Sequence, residues 1–303
     1  MPKTNEDYMR KYSFLFLTLI SINSQALIKN PIQPRVVYGI DDRMDVYQSS
    51  DNLMKELGRS TAVQVLDSNV TIEGDVVTLD KRTLADQGMC KSEPFADQPA
   101  PGHCSGFLIA PDVLVTAGHC VRDREQCQSH YWVFDFANTD GLQADFKFTK
   151  DQLVRCVDII SRVKEDGVGT DYAVLKLERK IPNRTPMKFR KAGKMSDDSV
   201  LTVLGYPSGL PLKITTGAVL RDNSKDNYFV MNSDTYGGNS GSAVVDTRTG
   251  LVEGILVRGD TDYEKSPTDD CYVTLKRSQD NGRGEDATRI TMIKLKESKS
   301  QGK

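Results

Sequence analysis

A succession of short apolar runs, each bounded by turn residues, sets the tightest limit on how this chain folds. A first group comprises Ala62–Leu66, Gly106–Ile109, Val113–Thr116, Tyr131–Phe136, Val154–Ile160 and Tyr172–Leu177. A second comprises Val200–Gly205, Lys213–Leu220, Tyr228–Asn232, Ser242–Val245, Gly254–Val257 and Tyr272–Lys276. The runs have the lengths of strands and are rich in the β-branched and aromatic side chains that suit a pleated surface. Asp246-Thr247-Arg248-Thr249-Gly250, between two of them, reads as a hairpin turn. Strands at this spacing predict an all-β protein of two antiparallel barrels. The stretch from Ile181 to Asp198, with prolines, charges and little apolar pattern, reads as the connection between them. The segment from Asp286 to Lys296 is the best candidate for a C-terminal helix.

The N-terminus argues for export. Met9-Arg10-Lys11 supplies positive charge, Phe14 to Ile20 is apolar, and Ser24-Gln25-Ala26 offers small residues for cleavage. This is the layout of a secretory signal peptide over residues 1–26, and the apolar run is shorter than the ~20 residues of a membrane span. Residues 27–35 contain two prolines and no periodicity and read as a pro-segment. A secreted or periplasmic protein with no membrane association after signal removal is expected. The six cysteines agree, because an even count in an exported chain favours disulfides. They lack the paired C-x-x-C spacing of a structural zinc site.

Hydrophobic residues make up 38% and charged residues 27%, which suits a soluble globular protein with real cores. Forty Lys and Arg against 42 Asp and Glu give a net charge of −2, which supplies no electrostatic drive toward nucleic acid or an anionic membrane.

Three motifs carry chemistry. In Gly237-Gly238-Asn239-Ser240-Gly241-Ser242 the glycines let the backbone turn sharply around an unobstructed hydroxyl, with N–H groups able to converge on one point. Thr116-Ala117-Gly118-His119-Cys120 places a histidine just after an apolar run, where a neutral imidazole can accept a proton beside a cleft. Of the other two histidines, His103 and His130, neither follows such a run, and both read as packing or surface residues. Asp171-Tyr172-Ala173-Val174-Leu175-Lys176-Leu177 opens a buried strand with a carboxylate that can orient a histidine and stabilise its imidazolium.

Taken in this order, the three motifs resemble those of the chymotrypsin-fold (trypsin-like) serine peptidases, closest to the bacterial branch that includes the glutamyl endopeptidases of V8 type. The resemblance spans roughly residues 36–295. It implies two six-stranded antiparallel Greek-key barrels, residues 36–182 carrying His119 and Asp171 and residues 183–303 carrying Ser240, the specificity pocket and the terminal helix. It implies His119 as general base, Asp171 as its orienting carboxylate, Ser240 as nucleophile, and the N–H groups of Gly238 and Ser240 as the oxyanion hole. The implied activity is that of a secreted serine endopeptidase acting on polypeptides as a monomer, without metal or organic cofactor. A catalytically silent binding protein on the same fold, and an esterase using Ser240, are the alternatives.

Further details follow from the same resemblance. Cys104 and Cys120 would staple the histidine loop; six cysteines allow 15 connectivities, and for the other four, which the resemblance does not pair, Cys127–Cys156 with Cys90–Cys271 is the expectation. Arg35 followed by Val36-Val37-Tyr38-Gly39 resembles a processing site, although the residue before the nucleophile is the uncharged Asn239, where trypsin-like enzymes keep an aspartate for the new amine. Asp234, six residues before Ser240, matches the pocket-floor aspartate that pairs with Arg or Lys. Thr235 matches the threonine that reads acidic side chains in glutamyl endopeptidases, yet Leu256 replaces their pocket histidine. Arg258 would meet an acidic substrate, neutralise Asp234, or face water. The balance favours a basic residue before the cleaved bond.

Overall fold

Alternation along the apolar runs decides how the sheets close. In the computed structural model, which describes residues 37–142, 146–167, 169–259 and 261–295, Trp132 and Phe134 join one apolar cluster while Val133 between them joins another. In the C-terminal half Ile255 and Val257 likewise separate from Leu256. Successive side chains on a strand leave opposite faces, so each strand feeds two cores.

The first barrel runs Leu153–Lys164, Asp171–Leu177, Val113–Thr116, Gly102–Ala110, Thr61–Leu66, His130–Phe134 and back to the first strand, every neighbour antiparallel. The second runs Val200–Gly205, Ala243–Asp246, Val252–Arg258, Glu285–Arg289, Tyr228–Met231, Lys213–Asp222 and back to Val200–Gly205. The expected pair of six-stranded antiparallel barrels is therefore present. Ala243, Val245, Ile255 and Val257 of the second barrel share one apolar cluster with Leu108, Val115 and Val174 of the first, so the barrels are joined by buried hydrocarbon.

The sixth strand of the second barrel differs from expectation. Tyr272–Thr274 pairs outside the barrel with Tyr263–Lys265, and Lys276–Arg277 runs parallel to Val37–Tyr38. The barrel is closed instead by Glu285–Arg289, which overlaps the segment Asp286–Lys296 expected to be helical; a single 3-10 turn, Ile290–Met292, follows, and Lys296 lies outside the described residues. All five residues of that strand are buried. Ladder bonds to both neighbours outweigh any local helical preference, and its polar groups find partners. Arg258 and Arg283 meet Asp286, and Arg289 donates to the carbonyls of Asn223 and Lys225.

The N-terminal segment ties the assembly together. Arg43–Asp45 adds to the edge of Lys213–Asp222. There the Lys213 ammonium, fully buried, donates to Asp45 Oδ1 at 2.5 Å and Gln98 Oε1 at 2.7 Å, while Asp45 Oδ2 accepts from Gln98 and Asn138. Burial lowers the Lys213 pKa to about 8. Disulfides join Cys104 to Cys120, Cys127 to Cys156 and Cys90 to Cys271. The stretches expected to be a signal peptide (1–26) and a pro-segment (27–35), and the Arg35–Val36 bond, lie outside the described residues.

Candidate active site

His119 sits in the 3-10 turn Gly118–Cys120, where the strand Val113–Thr116 ends. Gly118 is required here: a Cβ would stand 2.3 Å from the Val163 carbonyl oxygen and 2.9 Å from Asp171 Oδ1. That close approach lets Asp171, at the start of its strand, reach the turn twice. Its Oδ1 accepts the His119 main-chain N–H at 3.1 Å, and its Oδ2 lies 2.9 Å from His119 Nδ1. Asp171 is 1% exposed. An ionised carboxylate only accepts, so Nδ1 carries the proton and Nε2 keeps its lone pair. The Asp171 N–H donates to Thr288 Oγ1 at 3.1 Å, so the strand closing the second barrel also steadies the carboxylate of the first.

Ser240 lies in a loop shaped by two glycines of positive φ, Gly238 at +92° and Gly241 at +91°. At Gly241 a Cβ would fall 2.0 Å from the Ser105 carbonyl oxygen and 2.3 Å from Thr116 Oγ1, both in the first barrel. The loop is laced across the cleft by Ser105, whose N–H donates to the Ser240 carbonyl at 2.8 Å and whose hydroxyl donates to the Gly238 carbonyl at 2.8 Å. Among the described residues, the N–H groups of Gly238 and Ser240 donate to no protein acceptor. Asn239 is buried, and its Oδ1 accepts from the Ser242 hydroxyl at 3.1 Å.

The Cys104–Cys120 disulfide is the shared neighbour of both catalytic candidates. Its sulfurs lie within 4.8 Å of a His119 ring nitrogen, and Cys120 Sγ is 3.6 Å from the Ser240 carbonyl oxygen. Because the two sulfurs are bonded to each other, this Cys–His cluster offers no thiolate to a metal. His103 and His130 pack edge to face, ring centroids 5.2 Å apart, and burial lowers His103 to a pKa of about 4.

A cavity of about 240 Å³ opens beside Ser240, walled by Tyr236, Leu256, Val257 and Arg258 and by two acids, Asp262 and Glu285. Neither acid was among the site residues expected from the sequence. Asp234, the expected floor, does not line this cavity: its carboxylate accepts the N–H of Tyr38 at 2.7 Å and that of Asp42 at 3.0 Å. Burial raises Asp234 to a pKa of about 6, and burial with the adjacent Asp234 charge raises Asp42 to about 8. Thr235 turns its hydroxyl to Glu285 Oε2 at 2.5 Å. Arg258 does not neutralise Asp234 but meets Asp286 at 3.2 Å and the Gly169 carbonyl at 2.9 Å. Tyr236 lines the cavity while the polar atoms of Asp234 and Thr235 meet other partners, since an offset in sequence carries no information about which groups a side chain meets.

The family profile of the trypsin-like peptidase domain matches residues 104–255, half of the chain, a span that includes His119, Asp171 and Ser240. No curated protein matches the sequence. Among solved structures, a Glu endopeptidase is 17% identical, with 84% of this chain and 94% of that one covered and a TM-score of 0.48. A serine endoprotease from Yersinia pestis is 16% identical over 76% of this chain and 62% of its own, with a TM-score of 0.44.

Proposed function

Since this chain belongs to the trypsin-like peptidase family, and is by that membership a serine endopeptidase, we propose that it cleaves polypeptides through Ser240, His119 and Asp171 by way of an acyl-enzyme. His119 Nε2 takes the Ser240 proton as the hydroxyl oxygen attacks the peptide carbonyl. The imidazolium that forms is stabilised by the buried Asp171 carboxylate. The N–H groups of Gly238 and Ser240 donate to the oxyanion, a contribution of about 3 kcal/mol for each donor lost in comparable sites. His119 then returns the proton to the leaving amine, and water, activated by the same imidazole, hydrolyses the ester.

The observation that carries this reading is the double hydrogen bond from His119 to Asp171, which fixes both the ring and its tautomer. The test is hydrolysis of a denatured generic protein substrate. The wild type should degrade it, and His119→Ala and Ser240→Ala should each lose at least about three orders of magnitude in rate, given the residual rates that such sites retain. Equal degradation by Ser240→Ala would remove the assignment.

Export and processing belong to the same proposal. Three disulfides suit an oxidising compartment, and among the described residues no helix is long and apolar enough to cross a membrane. Cleavage after Arg35 would free an amine just ahead of the buried Val37 and Tyr38, the latter held by its N–H to Asp234. N-terminal sequencing of the mature protein tests this; a mature start at Leu27 with full activity would overturn it.

A further inference from the structure

Resting on the reading of His119 as general base, we infer that Arg162 is a positioning residue for it, gripping the Gly118–His119 peptide from the end opposite to Asp171. The two side chains come from neighbouring antiparallel strands. Arg162 belongs to Leu153–Lys164, where it stands across from Ala173, and Asp171 opens Asp171–Leu177. Arg162 Nε donates to the Gly118 carbonyl oxygen at 2.7 Å, and Asp171 Oδ1 accepts the His119 N–H at 3.1 Å. Both bonds fall on one peptide unit. That unit is planar and trans, so its carbonyl and its N–H point in opposite directions, and it cannot turn about its axis without breaking both bonds.

The turn needs this grip because of its glycine. Gly118 leaves room for the Val163 carbonyl and for Asp171, but a glycine also leaves its own backbone the widest choice of conformation. On the far side of His119, Gln64 Nε2 holds the Cys120 carbonyl at 3.1 Å. Arg162 supplies the matching hold on the near side. Its guanidinium stays charged throughout the working pH range, and a charged donor on the carbonyl polarises the peptide, which strengthens the N–H that Asp171 accepts. Arg162 thus acts through the peptide that carries the imidazole. The main chain of His119 is fixed while Nε2 takes the proton from Ser240 and delivers it to the leaving amine, a transfer that a small misplacement slows steeply.

Two substitutions separate the hydrogen bond from the rest of the side chain. Arg162→Gln places an amide N–H the same number of bonds from Cα as Nε, without the charge. Arg162→Met keeps a stem of similar length and offers no donor. Rates are measured on one peptide substrate, with kcat expressed per active site titrated by a fluorophosphonate, so that unfolded molecules are not counted. Arg162→Met should lose about fivefold or more in kcat with KM within about twofold, while Arg162→Gln should stay within about threefold of the wild-type kcat. A smaller loss in Arg162→Met, or a larger one in Arg162→Gln, overturns the inference. So does a loss carried by KM, which would place Arg162 in substrate binding. If Arg162→Met does not fold, Arg162→Ala takes its place; if neither folds, Arg162 serves the fold and the positioning role is overturned. A His119→Ala protein that reacts with the fluorophosphonate as fast as the wild type overturns the general-base reading itself, which distinguishes that failure from this one.

Discussion

Ser105 holds the loop of Ser240 from the opposite barrel: its N–H donates to the Ser240 carbonyl oxygen and its hydroxyl donates to the Gly238 carbonyl, both at 2.8 Å. The hydroxyl also accepts the Tyr206 N–H at 3.0 Å. One buried side chain thus fixes the peptide whose N–H groups are proposed to serve the oxyanion. In Ser105→Ala the N–H bond survives, while the Tyr206 N–H loses its acceptor and the Gly238 carbonyl its donor. The expected outcome is a loss of about 1–3 kcal/mol in stability, read by denaturant unfolding. With it, kcat should fall by about tenfold at little changed KM, since a loosened oxyanion site acts on the transition state.

Asp171→Asn tests the tautomer argument. The main-chain bond to His119 can persist, but an amide facing Nδ1 can donate and so favour the proton on Nε2, where it blocks uptake from Ser240. A fall in kcat of about 10⁴ is expected, with KM changed only a few-fold. Steady-state kinetics on one peptide check it; a fall of less than tenfold would show that the carboxylate does not set the ring.

The Asp42–Asp234 pair gives stability a pH dependence of definite sign. Their folded pKa values, about 8 and 6, lie above the ordinary carboxylate value of 3.8. The folded state therefore binds more protons than the unfolded chain between those limits, and the contribution of this pair to stability falls as pH rises from about 4 to about 8. Asp41 adds like charge to both, while Arg43 draws Asp234 downward. Asp42→Asn removes the Asp42 titration and leaves that of Asp234. Its Tm should match the wild type near pH 4 and exceed it by about 2–4 °C or more at pH 8, the shift that about 1 kcal/mol produces in a protein of this size. Differential scanning calorimetry across that range gives the answer.

Much of this architecture is legible in the sequence because burial is written as short continuous apolar runs. Val113–Thr116 and Asp171–Leu177 announce themselves that way, and the two motif residues at their ends, His119 and Asp171, come with them. Glu285–Arg289 does not, because Ala287 is its only apolar residue and its burial is secured by partners distant in sequence: Thr235 for Glu285, Arg258 for Asp286, the Asn223 and Lys225 carbonyls for Arg289. Pairing of that kind leaves no local periodicity. The same reason hides from the sequence the place of Glu285 in the cavity beside Ser240 and that of Ser105 against the Ser240 loop. A buried serine directly after a disulfide cysteine is the one sequence cue that points to Ser105.

The Cys104–Cys120 bond closes a loop across 16 residues that carries His119 on its last turn. Replacing both cysteines with alanine should cost about 3 kcal/mol on a loop-closure view, measured by guanidinium unfolding. Activity should fall further than stability alone accounts for, since the sulfurs pack beside the imidazole. A variant with wild-type kcat under folding conditions would show that the staple serves stability only.

The most direct test of the central claim is fluorophosphonate treatment followed by mass mapping of the adduct. The expected result is a single phosphonylated peptide containing Ser240, absent in Ser240→Ala and formed far more slowly in His119→Ala. An adduct that persists in Ser240→Ala, or that maps to another residue, would contradict Ser240 as the nucleophile activated by His119 and Asp171.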